Sequence, residues 1–204
     1  MNKLEALEHI AGIAETILRN ATSLQPDQFN PETYEVDAYE INQLVQAMEV
    51  LTSIESIETD TKQHIMKVRR NITAITHNLN NRAIAHDASK LKSPEVEIFA
   101  EVSPQLSSLE YGSEQYTAML ERLKPALNHH YALNSHHPEH WVNGIDDMSL
   151  LDIAEMLADW KAASERHANG NMVQSLEINT KRFGISSQLA SILHNTAKEL
   201  GWLL

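Results

Sequence analysis

Eight of the 11 histidines in this 204-residue chain fall between residues 64 and 140: His64, His77, His86, His129, His130, His136, His137 and His140. His86 is followed directly by Asp87, with Lys90 three residues further on, in the stretch "HDASKLKSPE". Adjacent residues of a helix point about 100° apart, so His86 and Asp87 converge only on something bulky between them, whereas Asp87 and Lys90 share a face. A metal ion fits that description. Neutral imidazole is the commonest protein ligand for zinc, iron and manganese. The stretch "NHHYALNSHHPEHW" places five histidines within 12 residues beside a Pro and a Trp, a density unusual for ordinary surface. A histidine standing alone, such as His9, His77, His167 or His194, reads instead as a surface or hydrogen-bonded core residue. Asp159, flanked by Met156, Leu157 and Trp160 in "IAEMLADW", reads as a carboxylate near the core. Such a group needs a cationic partner, and a metal or an Arg would each serve. Trp141 reads as a core residue before a stacking platform.

In chain order, His64 in "HIMKV", His86 and Asp87 in "HDASK", His136 and His137 in "SHHPEH" and Asp159 in "EMLADW" resemble the HD-domain superfamily of metal-dependent phosphohydrolases. Ligands in that superfamily run His, His-Asp, further His and then Asp along successive helices. "HDASKL" is similar to the "HDIGK" form of the HD-GYP branch. "HD.SK", "HHPEHW" and "EM..DW" together resemble a small family of bacteria and phages, without an assigned function, that is grouped with HD proteins. The resemblance covers about residues 60 to 165. It implies an HD-domain-like helical bundle holding one or two divalent ions (Mn, Fe, Zn or Mg) on His64, His86, Asp87, His130, His136, His137 and Asp159. His64, His86, Asp87 and Asp159 are expected around one ion, at about 2.0–2.3 Å. Asp87 would bridge to a second ion, roughly 3.5–4 Å away, held by His130 and one of His136 and His137. In this reading Asp87 holds the ion that activates water, Lys90 steers a phosphate oxygen, and His140, or whichever of His136 and His137 is not a ligand, is the candidate general acid. Lys90 reads equally well as a solvated lysine at a helix end. The spacing from His64 to His86 is short for the superfamily, which leaves His77 as the alternative first ligand. No "GYP" follows the paired histidines, which removes the reason to expect a cyclic dinucleotide substrate.

Helices must position these residues. Apolar residues recur at helical spacing at Leu4, Leu7, Ile10, Ala14, Ile17 and Leu18, at Ile41, Leu44, Val45, Met48 and Leu51, and at Ile65, Val68, Ile72 and Ile75, while strand-like alternation is absent. Breaks fall over 22–33, at the Ser-Pro pairs 93–94 and 103–104, through 135–147 and at 168–171. "SLLD" at 149–152 predicts a capping box opening a helix through "IAEMLADWKAAS"; Ser186 is expected to cap the last helix and Gly201 to end it. The result is an all-α chain of about eight helices. It comprises an N-terminal helical hairpin over 1–58, an HD-like metal-binding core over 59–167 and C-terminal helices over 168–204 packed on that core.

Composition narrows the function. The chain has no Cys, which excludes disulfides, thiolate zinc sites and cysteine nucleophiles. No uncharged run approaches the length of a membrane span or signal-peptide core, so the cytoplasm is the expected compartment. A net charge of −12 disfavours broad binding to nucleic acid or anionic membrane. A small anionic substrate, a nucleotide above all, stays compatible, because bound cations invert the local field. A homodimer through the first 58 residues is left open. The expected function is hydrolysis of a nucleotide or other small phosphate ester by metal-activated water. Two alternatives stand beside it: an HD-fold di-iron oxygenase, and a non-enzymatic binding protein with a structural metal. Against the last, the chain offers six or more donors (His64, His86, Asp87, His130, His136, His137 and Asp159), whereas about four close a structural site. No Glu-x-x-His pair occurs, which disfavours a ferritin-like di-iron bundle.

Overall fold

A computed structural model describes residues 1–22, 38–106, 109, 113–166 and 170–203. The predicted breaks over 22–33 and 168–171 lie wholly or partly outside these residues, and His167 lies outside them. The fold is all-α: seven α-helices and three short 3-10 turns among the described residues, close to the expected helix number. Two compact units, Met1–Ile72 and Thr73–Leu204, divide the chain.

In the first unit, α1 (Lys3–Thr22) runs antiparallel to the beginning of α2 (Ala38–Ala85). Lys3 Nζ donates to Glu58 Oε2 (3.3 Å) near one end, and His9 Nε2 lies 2.9 Å from Gln43 Oε1 nearer the other. Ala6 and Ala47 are the buried residues of this pair. The expected hairpin over 1–58 places its end inside α2, which runs on without interruption to Ala85. Neither Gly nor Pro occurs between 38 and 85, so nothing in the local chemistry breaks α2 before it reaches the His-Asp dyad.

The second unit continues through a 3-10 turn (Ala88–Leu91), α3 (Glu95–Leu106), α4 (Glu114–Leu133), two further 3-10 turns (Pro138–His140 and Gly144–Asp147), α5 (Leu150–Ser164), α6 (Met172–Arg182) and α7 (Ser187–Glu199). The helices α3 and α4 are antiparallel: Glu95 at the start of α3 meets His129 and His130 at the end of α4, and Glu101 pairs with Arg122. The break expected at 103–104 falls inside α3, because Pro104 sits in the last turn, where the helix ends two residues later at Leu106.

The core of this unit is built on α5. Met156, Leu157 and Trp160 form its apolar stripe and pack with Met148, Met172, Leu176, Ile185, Leu193 and Ala197. The Trp160 ring lies parallel to Phe183 at 6.1 Å. Each fully buried side chain of this size contributes roughly 1.5–3 kcal/mol. The same helix carries Asp152, Glu155 and Asp159 at positions i, i+3 and i+7, an acidic stripe beside the apolar one. The predicted capping box is present: Ser149 accepts from the Asp152 N–H, and Asp152 Oδ2 accepts from the Ser149 N–H (2.9 Å). Ser186 caps α7 and Gly201 follows it at φ 71°, as the sequence leads one to expect.

Candidate metal centre

The turn after α2 aims the His-Asp pair. Asp87 adopts φ 55° and ψ 12°, the left-handed region that Asp and Asn tolerate best among non-glycine residues. The chain leaves the helix at that residue, and Lys90 closes the turn. Its backbone N–H donates to the Asp87 carbonyl (2.9 Å) and its Nζ donates to Asp87 Oδ2 (2.6 Å).

A carboxylate stands behind each of four imidazoles. Glu95, fully buried, lies 2.7 Å from His129 Nδ1 and 2.9 Å from His130 Nδ1, and accepts from the Ser89 hydroxyl at 3.0 Å. Glu155 Oε1 lies 2.9 Å from His86 Nδ1 and 3.2 Å from His136 Nδ1. Arg82 in turn donates to Glu155 Oε2 (3.1 Å) and Asp152 Oδ1 (2.7 Å). A carboxylate only accepts, so the ring nitrogen facing it carries the proton, and the opposite Nε2 is a bare lone pair. Three such lone pairs gather on Asp87: His130 Nε2 (3.2 Å) and His136 Nε2 (3.6 Å) at Oδ1, and His86 Nε2 (3.6 Å) at Oδ2.

Among the described residues, no donor reaches Asp87 Oδ1 or His136 Nε2, although both atoms are buried. A buried acceptor without a partner costs about 1–3 kcal/mol. Here several acceptors crowd together and repel one another unless a cation lies between them. The residues therefore fit a divalent metal, held by nitrogen and oxygen donors without sulfur.

The electrostatics agree. Burial alone would raise the Asp87 carboxyl, but the Lys90 ammonium bonded to it holds it well below the usual carboxylate range. Burial also opposes ionisation of Glu95, yet bonds from His129, Ser89 and His130 keep its carboxyl low. Burial pushes His136 down, and it pushes His137 down to about 3, helped in the latter by the neighbouring His136 and His130. Both rings are thus neutral near pH 7, the form that binds metal.

Two donor groups share Asp87. Atoms of Asp87, His130, His136 and His137 lie within 4.8 Å of one another, and so do atoms of His86, Asp87 and Asp159. A third group, His86, His136 and Glu155, contains the carboxylate that orients the two rings. Asp159 Oδ1 has His86 Nε2 at 3.7 Å.

All the expected ligands but His64 are brought together. His64 is exposed in the first unit and belongs to none of the groups. His77, the alternative, is also exposed, and its Nε2 lies 3.3 Å from the Asn81 amide. Lys90 Nζ is bound to Asp87 Oδ2, and about a third of its side chain (35%) stays exposed. His140 stands outside the groups, its Nδ1 donating to the Tyr131 carbonyl (2.7 Å). Trp141 packs on the core and donates to the Ser135 carbonyl (2.9 Å).

Sequence reasoning missed Glu95, Glu155, Arg82 and Asp152. One signal was present for Glu155, which precedes Asp159 by four residues and so shares its helix face. A protein-family model described as a family of unknown function (DUF5662) matches residues 53–199. No curated protein and no solved structure matches the chain.

Proposed function

Because the chain belongs to this family of unknown function, DUF5662, its activity has to be argued from the site, and we propose a metal-dependent phosphohydrolase of HD type acting on a nucleotide or another small phosphate ester. The observation that carries the reading is the set of buried acceptors around Asp87 Oδ1 that no protein donor satisfies. A divalent ion bound there would lower the pKa of a coordinated water toward neutrality, the chemistry that attack on phosphorus needs, and a second ion would offset charge on the leaving oxygen. His130, His136 and His137 with Asp87 would hold one ion, and His86 and Asp159 with Asp87 the other; Mn, Fe, Zn and Mg all suit such donors.

The protein's own part is orientation and charge. Glu95 and Glu155 fix the tautomers of the histidines, and Arg82 holds Glu155 in place, the carboxylate–histidine arrangement usual behind metal ligands. Lys90 keeps Asp87 ionised and lies where a substrate oxygen would meet a positive charge. His140 is the candidate proton donor to the leaving group, its ring held by the Tyr131 carbonyl.

The test is a panel of nucleotides, cyclic nucleotides and model phosphodiesters assayed with manganese, iron, cobalt, zinc and magnesium. Wild type should turn over at least one of them, and Asp87→Ala should lose that activity by several orders of magnitude with its helical content intact. Lys90→Ala should cost about 1–3 kcal/mol in transition-state terms, the loss of one charged hydrogen bond. Oxygen consumption with ferrous iron and no hydrolysis would replace this reading with an oxygenase. No turnover of either kind, with Asp87→Ala lowering only the melting temperature, would leave a structural metal.

A further inference from the structure

Within the first unit, α1 covers the beginning of α2, and among the described residues nothing buries the apolar side of the stretch that follows. Every residue from Thr59 to Ile72 is exposed, and yet this stretch carries Ile65 (53% exposed), Val68 (41%) and Ile72 (55%) at the 3–4 spacing of a helix seam. Before it come Val50 and Ile54, half-buried, and Ile57, exposed. An apolar row of this length left to water marks an interaction surface.

The row is palindromic about Thr61. Going back from Thr61, apolar residues stand at 57, 54 and 50, and going forward at 65, 68 and 72, so the steps of four, three and four repeat in mirror order. Charge changes sign across the same point. Glu49, Glu55, Glu58 and Asp60 precede it, and Lys62, Lys67, Arg69 and Arg70 follow. Two such helices laid antiparallel across a twofold axis at Thr61 set Ile57 against Ile65, Ile54 against Val68 and Val50 against Ile72. The same register sets Glu55 against Lys67 and Asp60 against Lys62. A parallel, in-register pair would instead set Glu55 against Glu55 and Lys67 against Lys67, which is destabilising. Glu55 and Glu58 also meet Lys3 within the chain, at 3.9 and 3.3 Å, and keep side-chain exposures of 61% and 43%.

We propose that the occupant of this face is a second copy of the chain, joined through an antiparallel α2–α2 pairing centred on Thr61. Such a contact is self-complementary, as a twofold interface requires, and it uses no residue of the metal centre.

The chain's lack of cysteine gives a clean test on the full-length protein. Sedimentation equilibrium at micromolar concentration should give the mass of two chains for wild type and of one for Val68→Asp. Equal amounts of the single variants Ile57→Cys and Ile65→Cys, mixed and oxidised, should form a disulfide between positions 57 and 65 in preference to 57–57 or 65–65. A monomeric wild type, dominant 57–57 and 65–65 products, or a dimer that forms no disulfide at any of these positions would each overturn the proposal. Should Val68→Asp unfold, the disulfide pattern still decides.

Discussion

Asp87 is where the backbone and the chemistry meet. Its left-handed conformation swings the chain out of α2 and presents one oxygen to His130 and His136 and the other to His86 and Lys90. Asn tolerates the same φ, so Asp87→Asn should fold normally and lose divalent-metal binding. Competition against a calibrated chelator would measure the loss, and unchanged affinity would remove Asp87 from the ligands. Glu95→Gln and Glu155→Gln should each weaken metal binding by about 10- to 100-fold, since a neutral amide holds the imidazole tautomer less firmly than a carboxylate. The candidate ligands themselves were readable because few roles besides metal binding gather His and Asp at such spacings. Glu95 and Glu155 were not, because an acid in a helix looks like one more solvated charge until the folded chain sets an imidazole against it. His64 failed for the opposite reason. Its sequence context matched a motif, whereas α2 keeps it exposed.

At the scale of elements, α5 does most of the positioning, with its apolar stripe in the core and its acids toward Arg82 and the histidines. Its capping box fixes where the helix starts and hence where Glu155 and Asp159 point. Ser149→Ala should cost about 1 kcal/mol in denaturant unfolding and weaken metal binding through the same displacement; full metal affinity would uncouple the cap from the site. Asp152 links the cap to Arg82. Burial would raise its carboxyl, but hydrogen bonds from Ser135, Ser149 and Arg82 bring it down from 3.8 to about 2. A carboxyl depressed in the folded state contributes stability above its unfolded pKa, and that stability is lost as pH falls from about 4 through about 2. The contribution at neutral pH is on the order of 2 kcal/mol. Asp152→Asn should therefore be less stable at pH 7 and lose less on acidification than wild type, which urea titrations across that range would show. The box was legible as four letters; its bond to Arg82, 70 residues earlier in the chain, was not.

For the whole molecule, the helical class was legible from the periodicity alone, and the division of the chain was not. Turn residues mark where helices stop, but a boundary inside an uninterrupted helix, as at Ile72 and Thr73 of α2, has no composition signal. Among the described residues no helix is long and apolar enough to cross a membrane. Metal binding is the claim on which the rest depends. An ion that binds only the folded chain should stabilise it by about 2.7 kcal/mol at 100 times its dissociation constant, a rise of roughly 5–10 °C in melting temperature. Asp87→Asn should show no such rise. Anomalous diffraction from crystals grown with manganese, iron or zinc, each recorded at its own absorption edge, is the most direct test. A metal centre built on Asp87 predicts a peak bounded by Asp87 Oδ1, His130 Nε2 and His136 Nε2, at about 2.0–2.3 Å from each. Density there that is empty at all three edges, with the ions bound elsewhere or not at all, would contradict it.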